Sequence, residues 1–146
     1  MKTISENRKA KFNYNLLDFY NVGICLFGSE VKSIRLGNVN ISESFCYVDE
    51  YDEVWIKNMY IKQYEHSGYV KFDSYRDKKL LLKKQEIRKL SQKVSQKGCT
   101  IVPTKLFIND KGLIKLEVAL AKGKNTVDKK QYIKERDIKR DMETDV

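Results

Sequence analysis

Residues 113–120, LIKLEVAL, set Ile114, Leu116, Val118 and Leu120 against Lys115, Glu117 and Ala119 in strict alternation. A period of two marks a strand with one face buried, and no helix presents those four side chains to a single core. The run before it, IVPTKLFI (101–108), puts Val102, Thr104, Leu106 and Ile108 on one side, and Asn109-Asp110-Lys111-Gly112 between the two is a turn ending on glycine. Together they predict an antiparallel hairpin. Pro103 has no N–H to donate, so it is expected where its strand is unpaired or bulged.

The same reasoning extends along the chain. VNISESFCYV (39–48) and EVWIKN (53–58), around the acidic turn Asp49-Glu50-Tyr51-Asp52, predict a second hairpin, and FYNVGICLFG (19–28) a further strand. A short helix follows, with Ser29 as its cap, Glu30 in its first turn, Val31 and Ile34 on one face, and Gly37 closing it. A longer helix is predicted over 81–97, where Ile87, Leu90 and Val94 form an apolar stripe, Lys84, Arg88 and Lys93 face elsewhere, and Gly98 ends the run. Short antiparallel strands interrupted by one substantial helix predict a mainly β protein, an OB-type antiparallel barrel of about six strands with two to three peripheral helices. An open α+β sheet is the structural alternative. At 146 residues the chain fits one such domain, drawn as residues 13–121, between a basic N-terminal arm, 1–12, and a C-terminal tail, 122–146.

Charge is distributed in blocks. Residues 1–12 carry a net +3, residues 76–97 a net +7 and residues 121–140 a net +5, whereas the whole chain carries +9. The remainder is therefore acidic, and the positive field is concentrated in a head, one internal segment and a tail. Such a field favours a polyanion, and nucleic acid is the usual one. The tail, AKGKNTVDKKQYIKERDIKRDMETDV, has too few apolar residues to bury itself and is expected to be disordered until bound. Among aromatics able to stack on bases, Tyr14, just after the basic head, is the best placed.

Other classes find little support. Cys25, Cys46 and Cys99 are widely spaced with apolar neighbours and read as core residues of a reducing cytosol. His66 has no partner at ligand spacing, and neither a metal nor a cofactor is expected. No run is long enough to span a membrane and the start lacks an apolar leader core, so a cytoplasmic, unexported protein is expected. An enzyme is not expected either: the acids Asp49, Glu50, Asp52 and Glu53 leave a divalent-metal nuclease as the only catalytic alternative, and a solvated hairpin tip explains them more simply.

Four separated strings, NRKAKFNY (7–14), GSEVKSIRLGNVNISESF (28–45), KKLLLKKQEI (78–87) and VALAKGKNTVDKKQYIKERDIKRD (118–141), resemble the SsrA-binding protein family, also called small protein B, and occur in that family's order. The spacing between them matches too, so the resemblance spans the chain from Asn7. It implies a non-enzymatic RNA chaperone of bacterial ribosome rescue. Such a protein binds the tRNA-like domain of transfer-messenger RNA (tmRNA), assists its aminoacylation by alanyl-tRNA synthetase, and delivers it with the elongation factor that carries aminoacyl-tRNA. The RNA reaches the empty A site of a stalled ribosome, where the tail becomes helical in the vacant mRNA channel, near the decoding centre. A general OB-type RNA-binding or translation factor without tmRNA specificity is the alternative.

The resemblance assigns residues one at a time. Lys122-Gly123-Lys124 matches the K-G-K after the last strand, and Leu81 and Lys115 match positions implicated in binding the tRNA-like domain. Asn7, Arg8, Lys9, Glu30, Lys32, Arg35 and Asn40 match other recurrent positions, and all of these except Glu30 join Tyr14, Asn21, Leu81, Lys115 and Lys122-Gly123-Lys124 in the tmRNA-binding set that the resemblance implies. Asp128-Lys129-Lys130 matches the element placed near the decoding centre. Tyr132, Ile133, Lys134, Arg136, Ile138, Lys139 and Arg140 then belong to the tail helix, ordered by charged contacts with ribosomal RNA. Four residues depart from the pattern. Asn21 replaces a glutamate, so that an amide makes or weakens that RNA contact. Phe12 replaces a histidine, Lys130 an arginine whose bidentate fork lysine lacks, and Asn125 a lysine.

Overall fold

The structure, a computed structural model, describes residues 1–64 and 71–123. In chain order it contains β1 (Lys2–Glu6), α1 (Arg8–Asn13), β2 (Tyr14–Ile24), α2 (Gly28–Arg35), β3 (Val39–Asn40), β4 (Phe45–Val48), β5 (Val54–Lys57), β6 (Tyr60–Ile61), β7 (Lys78–Leu81), α3 (Lys84–Lys97), β8 (Thr100–Ile108) and β9 (Ile114–Gly123). The predicted hairpin is β8–β9, turning at Asn109–Gly112, and β9 also pairs antiparallel with β2 along most of its length. Six strands therefore close a ring in the order β8-β4-β5-β7-β2-β9, returning to β8. This is the OB-type barrel the alternation predicts, and closure removes the open edges that an exposed sheet would offer to other chains.

The residues predicted as a basic head are part of this architecture. β1 pairs with β8 outside the ring, and α1 lays Ala10 on Val102, Ala119 and Ala121. The outer side of β9 is thus covered where its residues are small. The main core lies within the barrel, with Leu116, Val118 and Leu120 of β9 meeting Val22, Cys46, Val54, Ile56, Leu80, Ile101 and Leu106, while Ile34 of α2 and Leu90 of α3 complete it.

Several expectations need correction. The strand predicted over 39–48 is broken, because the Asn40 carboxamide accepts the Ser42 amide and Ser44 turns back on the Ile41 carbonyl, so β3 pairs with β6 and only β4 joins the barrel. The first-turn acid, not Ser29, serves α2: the Phe27 amide donates to Glu30 Oε1 at 2.7 Å, and Ser29 is buried. The strand placed over 19–28 instead runs from Tyr14 to Ile24. The helix predicted from residue 81 begins at Lys84, since Lys78–Leu81 is drawn into the ring between β5 and β2 and turns Lys78 and Leu80 inward. Cys46 and Cys99 are buried, but Cys25 is exposed, as it stands just beyond the end of β2.

Pro103 sits at the bulge its chemistry requires, with the register of β8 shifting between Pro103 and Lys105. The shift inverts the alternation, so Val102 faces the small outer cluster and Leu106 the barrel interior, although their spacing placed them on one side. Asn7 secures the kink. Its amide nitrogen Nδ2 donates to the Pro103 carbonyl at 3.0 Å, and its backbone N–H donates to the Thr104 carbonyl at 2.8 Å. Asn7→Ala leaves the Pro103 carbonyl without that donor and is expected to destabilise the fold by about 1–3 kcal/mol in urea titration; an unchanged midpoint would show that the bulge holds itself.

Candidate nucleic-acid interface

At the end of the barrel where β2 stops, a groove of about 350 Å³ is lined by Gly23, Ile24, Leu26, Val31, Arg35, Leu81 and Gly112–Lys115. Its floor is apolar and its rims are cationic. Gly23 faces Leu81 directly across the β2–β7 pairing, and a Cβ at Gly23 would stand 3.3 Å from Leu81 Cδ1. The glycine lets the leucine lie flat against the sheet while remaining half exposed. Arg35 crosses from α2 to donate an Nη2 hydrogen to the Gly112 carbonyl at 2.8 Å, fixing its guanidinium on one rim. Lys115, on the outward face of β9, supplies the opposite charge position, and Asn21 shares the outward face of β2 with Gly23. Three positions marked by resemblance, Arg35, Leu81 and Lys115, thus meet in one depression. Lys32 stands exposed on the same helix as Arg35, one turn earlier.

A buried ionic cluster that sequence reading missed props this groove from behind. Glu30 is fully buried and takes a bidentate pair from Arg76, with Nη2 to Oε1 at 2.6 Å and Nε to Oε2 at 3.2 Å. Arg76 also donates to the Cys25 carbonyl and lies 4.1 Å over the Phe27 ring. One side chain therefore ties the chain between β2 and α2, which carries the groove residue Leu26, to the approach to β7. Removing either charge strands the other in a site with little water, a loss of about 3–5 kcal/mol in comparable pairs. Lys78, fully buried beside them, donates Nζ hydrogens to the carbonyls of Arg76 at 2.6 Å and Met59 at 3.3 Å. The signal for it was available: once KKLL is a strand, Lys78 shares its face with Leu80.

A second group of expected residues lies at the far end of β9, seven residues and about 23 Å from Lys115. There Tyr14 pairs with Gly123 and Asn15 with Lys122, where the chain leaves the barrel. Tyr14 is half-buried against the Ala10 cluster. Arg8 is exposed on α1, Lys9 is paired with Glu43 at 2.6 Å, and Phe12 is 81% exposed, a free ring beside these cations. Asn7, at 8% exposure, spends its side-chain donor inside the fold, and the Asn40 carboxamide serves its own turn. Lys124, Asp128, Lys129, Lys130, Tyr132, Ile133, Lys134, Arg136, Ile138, Lys139 and Arg140 lie outside the described residues, as do His66 and Asn125.

The acidic hairpin tip is a structural turn. Asp49 accepts the amides of Glu53 and Tyr51 and the indole N–H of Trp55, and these hydrogen bonds, the one from Glu53 foremost, hold its carboxyl below the usual range. Glu53 pairs with Lys79 at 3.1 Å. Two of the four acids considered for a metal are thus committed to other partners.

A small OB-type barrel presenting an apolar groove rimmed by cations defines a class: a binding protein built for a folded polyanion rather than for an enclosed small molecule. Within that class the chain belongs to the SmpB protein family, whose model matches residues 4–146. It is 49% identical over 138 residues to the SsrA-binding protein of Parabacteroides distasonis, covering 94% of this chain and 90% of that one. Against the SsrA-binding protein of Persephonella marina it is 49% identical over 142 residues, covering 97% and 92%. It is also similar to a solved chain from the structure described as "tmRNA-SmpB: a journey to the center of the bacterial ribosome", with a TM-score of 0.68 and 41% identity over 92% of this chain and 97% of that one.

The buried Lys78 gives the cluster a pH signature. Burial pushes its pKa from 10.5 down to about 8. Between those values the folded protein has released a proton that the unfolded chain retains, so this site adds stability as pH rises through that window. Burial of Cys46 raises its thiol pKa and acts in the opposite sense, so the comparison must be with Lys78→Met, which leaves Cys46 in place. The unfolding free energy of the wild type minus that of the variant is expected to rise between pH 8 and pH 10.5; a flat difference in urea titrations would contradict the buried, proton-losing amine.

Proposed function

We propose that this protein is the RNA-binding factor of trans-translation in its cell, acting in the cytoplasm without catalysis, cofactor or metal. Its groove, with Leu81 as apolar contact and Arg35, Lys115, Lys32 and Asn21 around it, takes the tRNA-like domain of tmRNA. The observation that carries this reading is the convergence of Arg35, Leu81 and Lys115 on one depression, in a chain whose relatives are SsrA-binding proteins. A folded RNA is read by shape, phosphates and sugar hydroxyls, for which a shallow half-apolar surface with fixed cations is well suited.

The second group of residues extends the contact with the same tmRNA, and the tail beyond it serves the ribosome. Lys122, Gly123 and Lys124 lead from the barrel into the tail, with Arg8, Lys9, Tyr14 and the open ring of Phe12 around that exit. The tail, from Asp128-Lys129-Lys130 onward, enters the empty mRNA channel of a stalled ribosome while the barrel holds the tRNA-like domain in the A site. Alanyl-tRNA synthetase and the aminoacyl-tRNA-carrying elongation factor are met indirectly, through that RNA.

The barrel and the tail make separable demands. Removing residues 127–146 is expected to leave binding to the tRNA-like domain intact while abolishing tagging of nascent chains on stalled ribosomes in a purified translation system. Tagging retained by the truncated protein would overturn the role given to the tail.

A further inference from the structure

The most basic stretch of the sequence, residues 76–97, is only partly accounted for by the groove and its buried props. Arg76 and Lys78 face inward, Lys79 pairs with Glu53, and Lys93 pairs with Asp18 at 3.1 Å. Of the cations whose side chains the structure describes, Lys83, Lys84, Arg88 and Lys89 remain, all exposed. Among the described residues none of these four has an ion-pair partner. Ile87 and Leu90 fix the inward side of α3 and Val94 packs behind them, so at 100° per residue Arg88 and Lys89 flank the centre of the opposite side, with Lys84 one turn before Arg88.

These positions run against the local preferences of a helix. Lys83 is the N-cap residue and Lys84 opens the first turn, where the positive end of the helix dipole disfavours cations. The acid in that turn, Glu86, has a carboxylate oxygen engaged by the Lys83 amide at 3.0 Å. Uncompensated cations at the disfavoured end of a helix do nothing for folding, and such local conflicts concentrate at functional surfaces.

We propose that this side of α3 is a second contact for an RNA phosphodiester backbone, continuing the groove onto the same RNA molecule. The inference rests on the RNA-binding reading of the groove. Continuity comes from the chain itself, since Leu81 lines the groove and Lys84 follows within about 11 Å of it. Chemistry selects the occupant. The water-facing residues Gln85, Arg88, Lys89 and Gln92 offer no apolar anchor for a protein partner, and the apolar side of α3 is committed to the core, leaving nothing to insert into a lipid surface. A row of phosphates asks only for charge at roughly helical-turn spacing.

The test compares the full-length protein with its Lys84→Gln/Arg88→Gln/Lys89→Gln variant, titrated with the isolated tRNA-like domain of tmRNA across a salt series. Losing three phosphate contacts is expected to make the slope of log affinity against log salt shallower by about 2–3, with affinity falling most at low salt. The thermal midpoint should be unchanged or slightly raised, because Lys84, in the first turn, opposes the helix dipole and the other two side chains are exposed. Leu81→Ser, measured in parallel, is expected to lower affinity without changing the slope. A triple variant with the wild-type slope and affinity would overturn the α3 contact while leaving the groove reading intact. A wild-type protein that fails to bind this RNA at all would overturn the groove reading, and the α3 contact with it.

Discussion

Strand β9 is hydrogen-bonded along both edges, to β2 on one side and β8 on the other, and this double pairing closes the barrel. Its alternation sends Leu116, Val118 and Leu120 inward, so the strand that completes the ring also contributes to the core at three successive positions. The bulge in β8 and the irregularity in β2 between Leu16 and Asp18 let its two partners curve around it. Because the ring is rigid, the two ends of β9 are held at a fixed separation. One end carries Lys115 at the groove and the other carries Lys122 and Gly123 where the strand ends, so the two groups of expected residues stand at opposite ends of one strand.

The groove depends on a buried ionic cluster that burial makes costly and geometry makes specific. Glu30 opens α2 by accepting the Phe27 amide, then accepts two hydrogen bonds from one edge of the Arg76 guanidinium, and Lys78 is anchored by the Arg76 and Met59 carbonyls. An apolar cluster of similar volume would give comparable stability without fixing direction. A fork of hydrogen bonds to named carbonyls sets the orientation of the loop that ends β2, and with it Leu26 on the groove wall.

Legibility in the sequence followed the length of the signal. Strict alternation across residues 113–120, with a glycine turn before it, identified the central hairpin, and the apolar stripe Ile87–Leu90–Val94 identified α3. Shorter signals failed where side chains competed locally with the pattern: Asn40 and Ser44 broke a strand that hydrophobicity alone would continue, and a single bulge moved Val102 and Leu106 onto different faces. Leu81 and Lys115 were recognisable only through family resemblance, because nothing in their immediate neighbours separates an exposed leucine or a strand lysine from surface variation. Arg76 escaped notice because its partner Glu30 is 46 residues away, a contact that only the folded ring creates.

The central claim is that the surface reads a particular folded RNA rather than attracting any polyanion. Its most direct test is competition between the isolated tRNA-like domain of tmRNA and elongator tRNA for the full-length protein, followed across increasing salt. Non-specific phosphate binding collapses with salt for both, whereas shape-dependent contact persists for one. Binding of the tRNA-like domain that survives at salt where tRNA has been lost is the predicted result. Two affinity curves that fall together would contradict the account and leave a basic barrel without a preferred RNA.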